Sequence, residues 1–298
     1  MKQEYSKTED RIIKLFKDSN EFNYQGNIYK VLNIGKPRPS SGECKTDIYV
    51  LTKNVSKNKE KEFKISIKQK DADFIENRMS LDRAKRVLGN EATKIIIKSI
   101  ASIKYLFEES FIIIYKKSTK SIKKNITLGW TFDLVYNKRN LGGLMLLTDH
   151  QKIDVFSGTN LNSDKKNSKV NGTIIKNSGV ANHILTIEDT NNSLDFYLKS
   201  LKPIDDYAVN TNIYFACKAV NYRAEPIKWD GDRPLVVYIN WNVNNKLLKS
   251  ELIFDKPLMV KANMIGENIK DILRKIKIDS NNFIELKNYV DKDVKYSI

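Results

Sequence analysis

An aspartate and a lysine occupy matching ends of a predicted β-hairpin between Ser41 and Lys70. Asp47 precedes the apolar run 48–51, the charged segment 53–62 connects the two strands, and in residues 63–68 apolar side chains alternate with Lys64, Ser66 and Lys68. Because successive side chains of a strand point to opposite faces, Ser66 and Lys68 share the face that the apolar residues leave. We therefore expect Asp47, Ser66 and Lys68 to lie close together.

An acid, a small polar group and a cation in one place suit the hydrolysis of a phosphodiester. That reaction builds negative charge on the phosphate and needs a nucleophile made from water; a hard cation held by oxygen ligands serves both needs. With a neutral residue at Ser66, a cation on Asp47 needs further oxygen ligands. The candidates are the carbonyl of Ile67, a water molecule and a distant carboxylate, for which the sequence offers Glu43 and Glu21 equally, and also Glu4.

The hairpin resembles a known family of nucleases. The sequence Lys45-Thr46-Asp47 after the turn at Ser41-Gly42, followed by Ser66-Ile67-Lys68, is similar to the motifs of the PD-(D/E)XK nuclease superfamily, and most closely to its type II restriction endonucleases. The resemblance covers about 35–70 and extends into the following helices. It implies that Asp47 binds Mg²⁺ and that Lys68 lies near the attacking water. Ser66 departs from the pattern, since the family usually has Asp or Glu there, and Thr46 stands where Pro is usual.

The resemblance also implies a function and partners. It predicts a Mg²⁺-dependent, site-specific deoxyribonuclease that hydrolyses phosphodiester bonds in double-stranded DNA. It implies a homodimer whose two copies act on the two strands, and a cognate DNA methyltransferase that protects the host sites. An isolated Asp and Lys at this spacing are also common in ordinary hairpins, so a motif of this kind is a hypothesis.

The charge of the chain is consistent with a polyanionic partner. The 298 residues include 52 Lys and Arg against 36 Asp and Glu, a formal net charge of +16. Residues 1–124 carry 28 basic and 16 acidic residues, whereas residues 125–298 carry 24 and 20. Phosphate contacts provide most non-specific affinity for nucleic acids, so a basic half that also carries the candidate site suits DNA. A general bias of the genome toward lysine would give the same excess.

The cysteines, the histidines and the apolar segments of the chain exclude several classes of site and of protein. Cys44 and Cys217 lie far apart and show no zinc spacing, and His150 and His183 are the two histidines, which excludes a multi-histidine metal site. We find no signal peptide and no long apolar span. These features predict a cytoplasmic protein with reduced cysteines and no membrane partner.

The order of elements predicts an α/β (α+β) fold with a mixed-sheet, restriction-endonuclease-like core and flanking helices. A helix capped by Thr8, a strand at 27–34, the hairpin, helices at 72–88 and 91–107, and strands at 111–115 and 126–136 follow one another. Later segments predict a helix at 193–201, strands at 211–222, 234–243 and 247–254, and a helix at 265–276. We assign residues 1–136 to the catalytic core and residues 137–298 to a mixed α/β DNA-recognition region. The boundary is soft and one integrated domain is the alternative.

Two loops carry the predicted DNA contacts. Residues 36–39 form a stiff Lys-Pro-Arg-Pro loop, and residues 154–172 form a long loop rich in Asn, Ser, Lys and Gly. Their side chains can hold phosphates or read base edges, although they are also common turn formers. The predicted DNA-binding residues are Lys36, Arg38, Lys45, Lys70, Asn160, Lys165, Lys166 and Asn182.

Ser66 leaves a second class of function open. A chain that kept the fold and lost one acid would be a catalytically degenerate DNA-binding protein, and a DNA repair or defence nuclease of the same fold lies between the two. The recognition sequence, the cleavage position and the number of metal ions depend on features that a single sequence does not define.

Overall fold

A computed structural model describes residues 2–119, 121–189 and 191–298, with side chains from residue 7 onward. Its helices are α1 (Lys2–Ser19), α2 (Leu81–Leu88), α3 (Ala92–Ala101), α4 (Lys104–Glu108), α5 (Asp149–Ser157), α6 (Ser163–Lys166), α7 (Leu194–Ser200), α8 (Ile204–Val209) and α9 (Ala262–Lys275), with a 3-10 helix at Phe283–Tyr289.

The strands in chain order are β1 (Glu21–Tyr24), β2 (Asn27–Gly35), β3 (Ile48–Asn54), β4 (Glu60–Gln69), β5 (Phe74–Glu76), β6 (Ile113–Lys117), β7 (Ile122–Val135), β8 (Gly142–Leu144), β9 (Lys169–Val170), β10 (Thr173–Ile174), β11 (His183–Ile187), β12 (Leu201–Pro203), β13 (Tyr214–Ala224), β14 (Ile227–Trp229), β15 (Pro234–Leu235), β16 (Val237–Asn244), β17 (Leu247–Ile253), β18 (Val260–Lys261) and β19 (Tyr296–Ser297).

The chain forms two compact units, and each draws on both halves of the sequence. Unit 1 comprises the chain up to Ala72, Lys85–Gly89 and Leu147–Asn212, and unit 2 comprises Asp73–Ala84, Asn90–Leu146 and Ile213–Ile298. The predicted core of residues 1–136 and recognition region of residues 137–298 do not coincide with these units. The fold is α+β with mixed sheets, as predicted at that level.

Unit 1 is built on a six-stranded sheet in the order β1-β2-β3-β4-β11-β12. All pairs are antiparallel except β4 with β11, in which Ser66 lies beside Ile184 and Lys68 beside Thr186. One face of the sheet packs against α1 and α7 through an apolar core that includes Ile12, Phe16, Phe63 and Leu198. The predicted alternation of residues 63–68 is therefore observed, with Phe63 and Ile65 fully in the core.

Unit 2 is built on a nine-stranded sheet whose central path is β14-β13-β7-β16-β17. The long strand β7 pairs with β5, β6, β13 and β16. Phe132 and Phe215 stack in its core, and the indole of Trp241 donates to the Thr127 carbonyl at 2.9 Å. No helix in the described part of the chain is long and apolar enough to cross a membrane.

Several predicted elements changed in the structure. The helix predicted at 72–88 is wrong in its first half, because Phe74 and Glu76 pair with β7 and the helix starts at Leu81. Pairing with a long strand outweighs the local preference for a helix that the spacing of the apolar residues indicates. The helix predicted to begin at Thr8 begins at Lys2, and the connection predicted at 53–62 shrinks to residues 55–59. The loop predicted at 154–172 contains the end of α5, all of α6 and β9.

The strand that completes the sheet beside the hairpin also differs from the prediction. The predicted strand at 111–115 corresponds to β6, which joins β7 in unit 2. The strand beside β4 is instead β11, from the second half of the chain, and α5 lies between β4 and β11 in sequence. Unit 1 therefore has α1 followed by the four strands β1 to β4, and then α5, α6, β9, β10 and β11, which is more complex than the predicted order α-β-β-α-β.

Candidate active site

Asp47 lies at the point where β3 separates from β4. Its N–H donates to the Ile65 carbonyl at 2.8 Å, and its Oδ2 accepts from the Ile67 N–H at 2.7 Å. The last backbone pair between β3 and β4 is Ile48 with Ile65. Beyond it, the Asp47 carboxylate replaces a strand carbonyl as the hydrogen-bond acceptor for β4. Because the N–H and C=O of one strand residue point to the same side, the Ile67 carbonyl also faces Asp47.

Lys68 and Ser66 lie on the strand beside Asp47, as the alternation predicts. Ser66 is only 1% exposed, and Lys68 is half-buried. The positive charge of Lys68 acts on the Asp47 carboxyl group and favours its ionised form. The structure therefore places the acid of the motif at the start of β3, hydrogen-bonded to the strand that carries the cation of the motif.

Glu9 supplies a second carboxylate that the sequence analysis missed. It projects from α1, forms an ion pair with Lys36, and its side chain is 13% exposed. The charges of Glu9 and Lys36 both act on Asp47, the first raising and the second lowering its pKa. The cluster formed by Asp47, Glu9, Lys36 and Lys68 is called the acidic site below.

Burial dominates the electrostatics of the acidic site. Desolvation raises the pKa of Asp47 to about 6, although Lys68, the Ile67 N–H and Lys36 all lower it. A carboxylate removed from water is costly when charged, and the neighbouring Glu9 adds to that cost. Asp47 is thus an ionised group above pH 6 whose charge the protein only partly neutralises, which is the condition that favours a bound cation.

The acids proposed from the sequence, Glu21 and Glu43, are not among the charges that act on the Asp47 pKa. Glu21 opens β1 and Glu43 lies in the loop before Asp47, and both are exposed. Glu4 lies in α1, but its side chain is outside the described residues. A signal for Glu9 was present, since it shares a helix face with Ile12, Ile13 and Phe16 at spacings of three, four and seven. An acid on the apolar face of an amphipathic helix is rarely buried without a partner, and the partner of Glu9 is Lys36.

The donor set of the acidic site fits Mg²⁺. Asp47 and Glu9 offer carboxylate oxygens, and Ser66 and Ile67 offer a hydroxyl and a carbonyl, all of which are hard ligands. Among the described residues there is no cluster of three or more His, Cys, Asp or Glu that could hold a metal ion. Mg²⁺ does not require one, because it is commonly bound through one or two carboxylates and keeps several waters.

The two predicted DNA-contact loops pack against each other beside Asp47. Arg38 and Lys169 exchange backbone hydrogen bonds, and the N–H groups of Lys45 and Thr46 donate to the Gly179 carbonyl. The N–H of Ser40 donates to Asp164 at 3.2 Å. Arg38 is exposed, and Lys45, Lys165 and Lys166 are half-buried in this wall.

Other predicted DNA-binding residues have contacts within the protein. Asn182 accepts from the Lys64 N–H at 2.7 Å and donates to the Glu62 carbonyl at 2.9 Å, so its amide joins the start of β11 to β4. The Asn160 Nδ2 is buried and without a hydrogen bond, with the amide lying near Gly89. Lys70 pairs with Glu188 at 2.6 Å on the surface. A contact with DNA by Asn182 or Asn160 would require these side chains to rearrange.

Comparison of the chain with family models, with curated proteins and with solved structures found no match.

Proposed function

We propose that the protein is a Mg²⁺-dependent type II restriction endonuclease of the PD-(D/E)XK kind, which hydrolyses phosphodiester bonds in double-stranded DNA. The observation that carries the proposal is the buried Asp47 carboxylate, which accepts from the Ile67 N–H on the strand that bears Lys68 and which feels the charges of both Lys68 and Glu9. Two partly desolvated acids beside a lysine form a site for a divalent cation next to a proton-handling group.

Each residue of the acidic site has a role in this reaction. Asp47 and Glu9 would hold the cation, with Ser66 and the Ile67 carbonyl as neutral oxygen donors. When bound, Mg²⁺ supplies neutralisation of the charge on the phosphate and a lower pKa for water. Lys68 would orient the attacking water and stabilise the charge that develops on the phosphate. In this arrangement Glu9 compensates for the missing acid at Ser66, because it brings a second carboxylate from a different element.

The order of elements in unit 1 supports the same proposal. The helix α1, the antiparallel pair β3–β4, the helix α5 and the parallel strand β11 occur in the sequence expected of a restriction-endonuclease-like core, with β1 and β2 added before the hairpin. The basic wall beside Asp47, with Arg38, Lys165 and Lys166, suits the backbone of a duplex. Homodimerisation and a cognate DNA methyltransferase belong to the proposal, because cutting both strands takes two active sites and host DNA must be protected.

Digestion of a plasmid and of a phage genome of known sequence tests the proposal. We expect discrete, mappable fragments with Mg²⁺ and none with EDTA. Asp47→Ala and Lys68→Ala should each lower cleavage at least about a thousandfold, since each removes several kcal/mol of transition-state stabilisation. Duplex binding without a cleaving metal should change little.

Lys64→Ala is the matched control, because Lys64 lies on the same strand and face as Lys68 and pairs with Glu62 at 3.5 Å. It should cleave nearly as the wild type does. Cleavage that survives in Asp47→Ala would place the reaction elsewhere. A smear of fragments in place of discrete bands would identify a non-specific nuclease.

The neutral Ser66 favours a second candidate, a DNA-binding protein that no longer cuts. Ser66 is buried at the position where the family usually has an acid, so the cation would depend on Glu9 from another element. Wild-type protein that binds duplex DNA but never cuts it with Mg²⁺ or Mn²⁺ would establish this alternative.

A further inference from the structure

Unit 2 contains a cationic cavity that the proposed function does not use. The cavity of about 230 Å³ lies against β7 and β13 and the segment after β14. Thr131, Lys218, Arg223, Asp230 and Arg233 line it. Cavities for drug-sized ligands measure about 300–1,000 Å³, so this one suits a single small group.

The charges around the cavity are unequal. Asp230 is neutralised by Arg223, whose guanidinium Nε donates to it at 2.7 Å, and it also accepts from Asn221. Neither Lys218 nor Arg233 forms a side-chain ion pair with any residue that the structure describes. Asp133 is the nearby acid on which Lys218, Arg233 and Arg78 all act. The lining itself carries the three cations Lys218, Arg223 and Arg233 against the single acid Asp230, which leaves an excess of positive charge.

The backbone around the cavity is held in place. Lys218 lies opposite Thr131 in the β13–β7 ladder, and the Thr131 hydroxyl donates to the Lys218 carbonyl at 3.3 Å. The ladder then has an irregularity between Val220 and Asn221, which re-aims the strand toward Arg223 and Asp230. The Asp230 carboxylate accepts hydrogen bonds from the backbone N–H and the side-chain amide of Asn221, and these bonds link the segment after β14 to β13. Lys218 is therefore presented by a strand paired with β7, and Arg233 by the segment that follows β14.

We infer that this cavity is a binding site for a phosphate group, held by the Lys218 ammonium and the Arg233 guanidinium. An arginine fork matches the geometry of a tetrahedral oxyanion, and a lysine adds a compact charge. The chemistry is shared by a free phosphate ion, a terminal phosphate of an oligonucleotide and an internal phosphodiester. The site lies within unit 2 and does not depend on the acidic site.

Titration calorimetry of the whole protein in EDTA, with inorganic phosphate at constant ionic strength, tests the inference. We expect saturable binding that sulfate competes for and chloride does not. Lys218→Gln with Arg233→Gln should weaken it at least about tenfold, because each residue contributes a charge-assisted hydrogen bond. Lys228→Gln removes the same charge from the exposed strand β14 outside the cavity lining and should leave binding unchanged.

Three probes distinguish the sources of the phosphate group. Inorganic phosphate, a 5′-phosphorylated trinucleotide and its unphosphorylated counterpart separate a free ion, a strand end and an internal linkage. If the double variant does not fold, Lys218→Gln alone carries the test, because Lys218 is exposed. The inference is overturned if no probe binds saturably at millimolar concentration, or if Lys218→Gln and Lys228→Gln weaken binding equally.

Discussion

Two partly buried aspartates, one in each unit, differ in the charges that surround them. Asp47 accepts the Ile67 N–H at 2.7 Å, and Asp133 accepts the Arg78 N–H at 2.6 Å. Burial raises the pKa of both. Asp47 has a second carboxylate nearby, that of Glu9, whereas the charges that act on Asp133 are all cations. A partly buried aspartate can therefore belong to a site for a cation, as we propose for Asp47, or lie beside a site for an anion, as we propose for Asp133.

The difference lies in which elements contribute the neighbours. Glu9, whose charge acts on Asp47, comes from a helix that packs on the sheet, while Lys218 lies on β13 and Arg233 in the segment after β14. If this comparison is right, Mg²⁺ should act on the acidic site alone and phosphate on the cavity alone. Removing one charge at a time should change the response to one ion and leave the response to the other.

Glu9→Gln should have the largest effect among these changes. It removes the second carboxylate while keeping the size of the side chain, so we expect cleavage to fall at least about tenfold at limiting Mg²⁺, and the Mg²⁺ requirement to rise. Phosphate binding in unit 2 should not change. Glu21→Gln and Glu43→Gln are the matched controls, since both acids are exposed and should stay near wild-type activity. A greater loss in either control than in Glu9→Gln would reassign the second ligand.

Asp47→Asn should stabilise the metal-free protein at high pH. A carboxyl whose folded pKa is about 6 against 3.8 for the ordinary group contributes stability below pH 3.8 that is lost as the pH rises through 6. Asparagine can still accept the Ile67 N–H but carries no charge to bury. Its free energy of unfolding should therefore exceed that of the wild type by about 3 kcal/mol at pH 8, and the gap should close toward pH 4.

Urea unfolding in EDTA at pH 4, 6 and 8 measures this gap. The titration of His183, whose pKa burial lowers to about 4, occurs in both proteins and cancels in the difference. Asp133→Asn is the comparison in unit 2, where the three neighbouring cations should make the gain at pH 8 smaller. An equal gain for both variants would mean that Glu9 adds nothing to the environment of Asp47.

The sequence predicted the hairpin well because its signals are local. Phe63 and Ile65 alternate with Ser66 and Lys68 along β4, and a period of two fixes which side chains share a face. The ladder between Ile48 and Ile65 then places Asp47 beside Ser66 without further information. Secondary structure far from the hairpin, such as α7 and α9, was also close to its predicted bounds for the same reason.

The residues that complete the acidic site could not be predicted this way. β11 joins β4 after more than one hundred intervening residues, and its pairing is fixed by Asn182 on the β4 backbone, which was interpreted as a DNA contact. Glu9 depends on how α1 packs against the sheet. The segment 154–172 is predicted as a loop because its Asn, Ser and Gly residues favour turns. In the structure it contains α6 and β9 and forms hydrogen bonds with Arg38 and Ser40.

Lys36→Gln should have the smallest effect. Whether it lowers or raises the Mg²⁺ concentration needed for cleavage distinguishes two roles for Lys36. Lys36 pairs with Glu9 and lowers the pKa of Asp47, so its ammonium already occupies the position of a counter-cation. If Lys36 competes with Mg²⁺, its removal should lower the half-saturating Mg²⁺ concentration severalfold, equivalent to about 1 kcal/mol, because a charge at this range acts through a screened, high-dielectric medium. The control is Lys30→Gln, which replaces an exposed lysine on β2 and should leave the Mg²⁺ dependence unchanged.

Two other outcomes would assign Lys36 a different role. A higher Mg²⁺ requirement in Lys36→Gln would show that Lys36 holds Glu9 in place for the cation. Weaker duplex binding at saturating Mg²⁺ would assign Lys36 to the DNA backbone, as the sequence predicts.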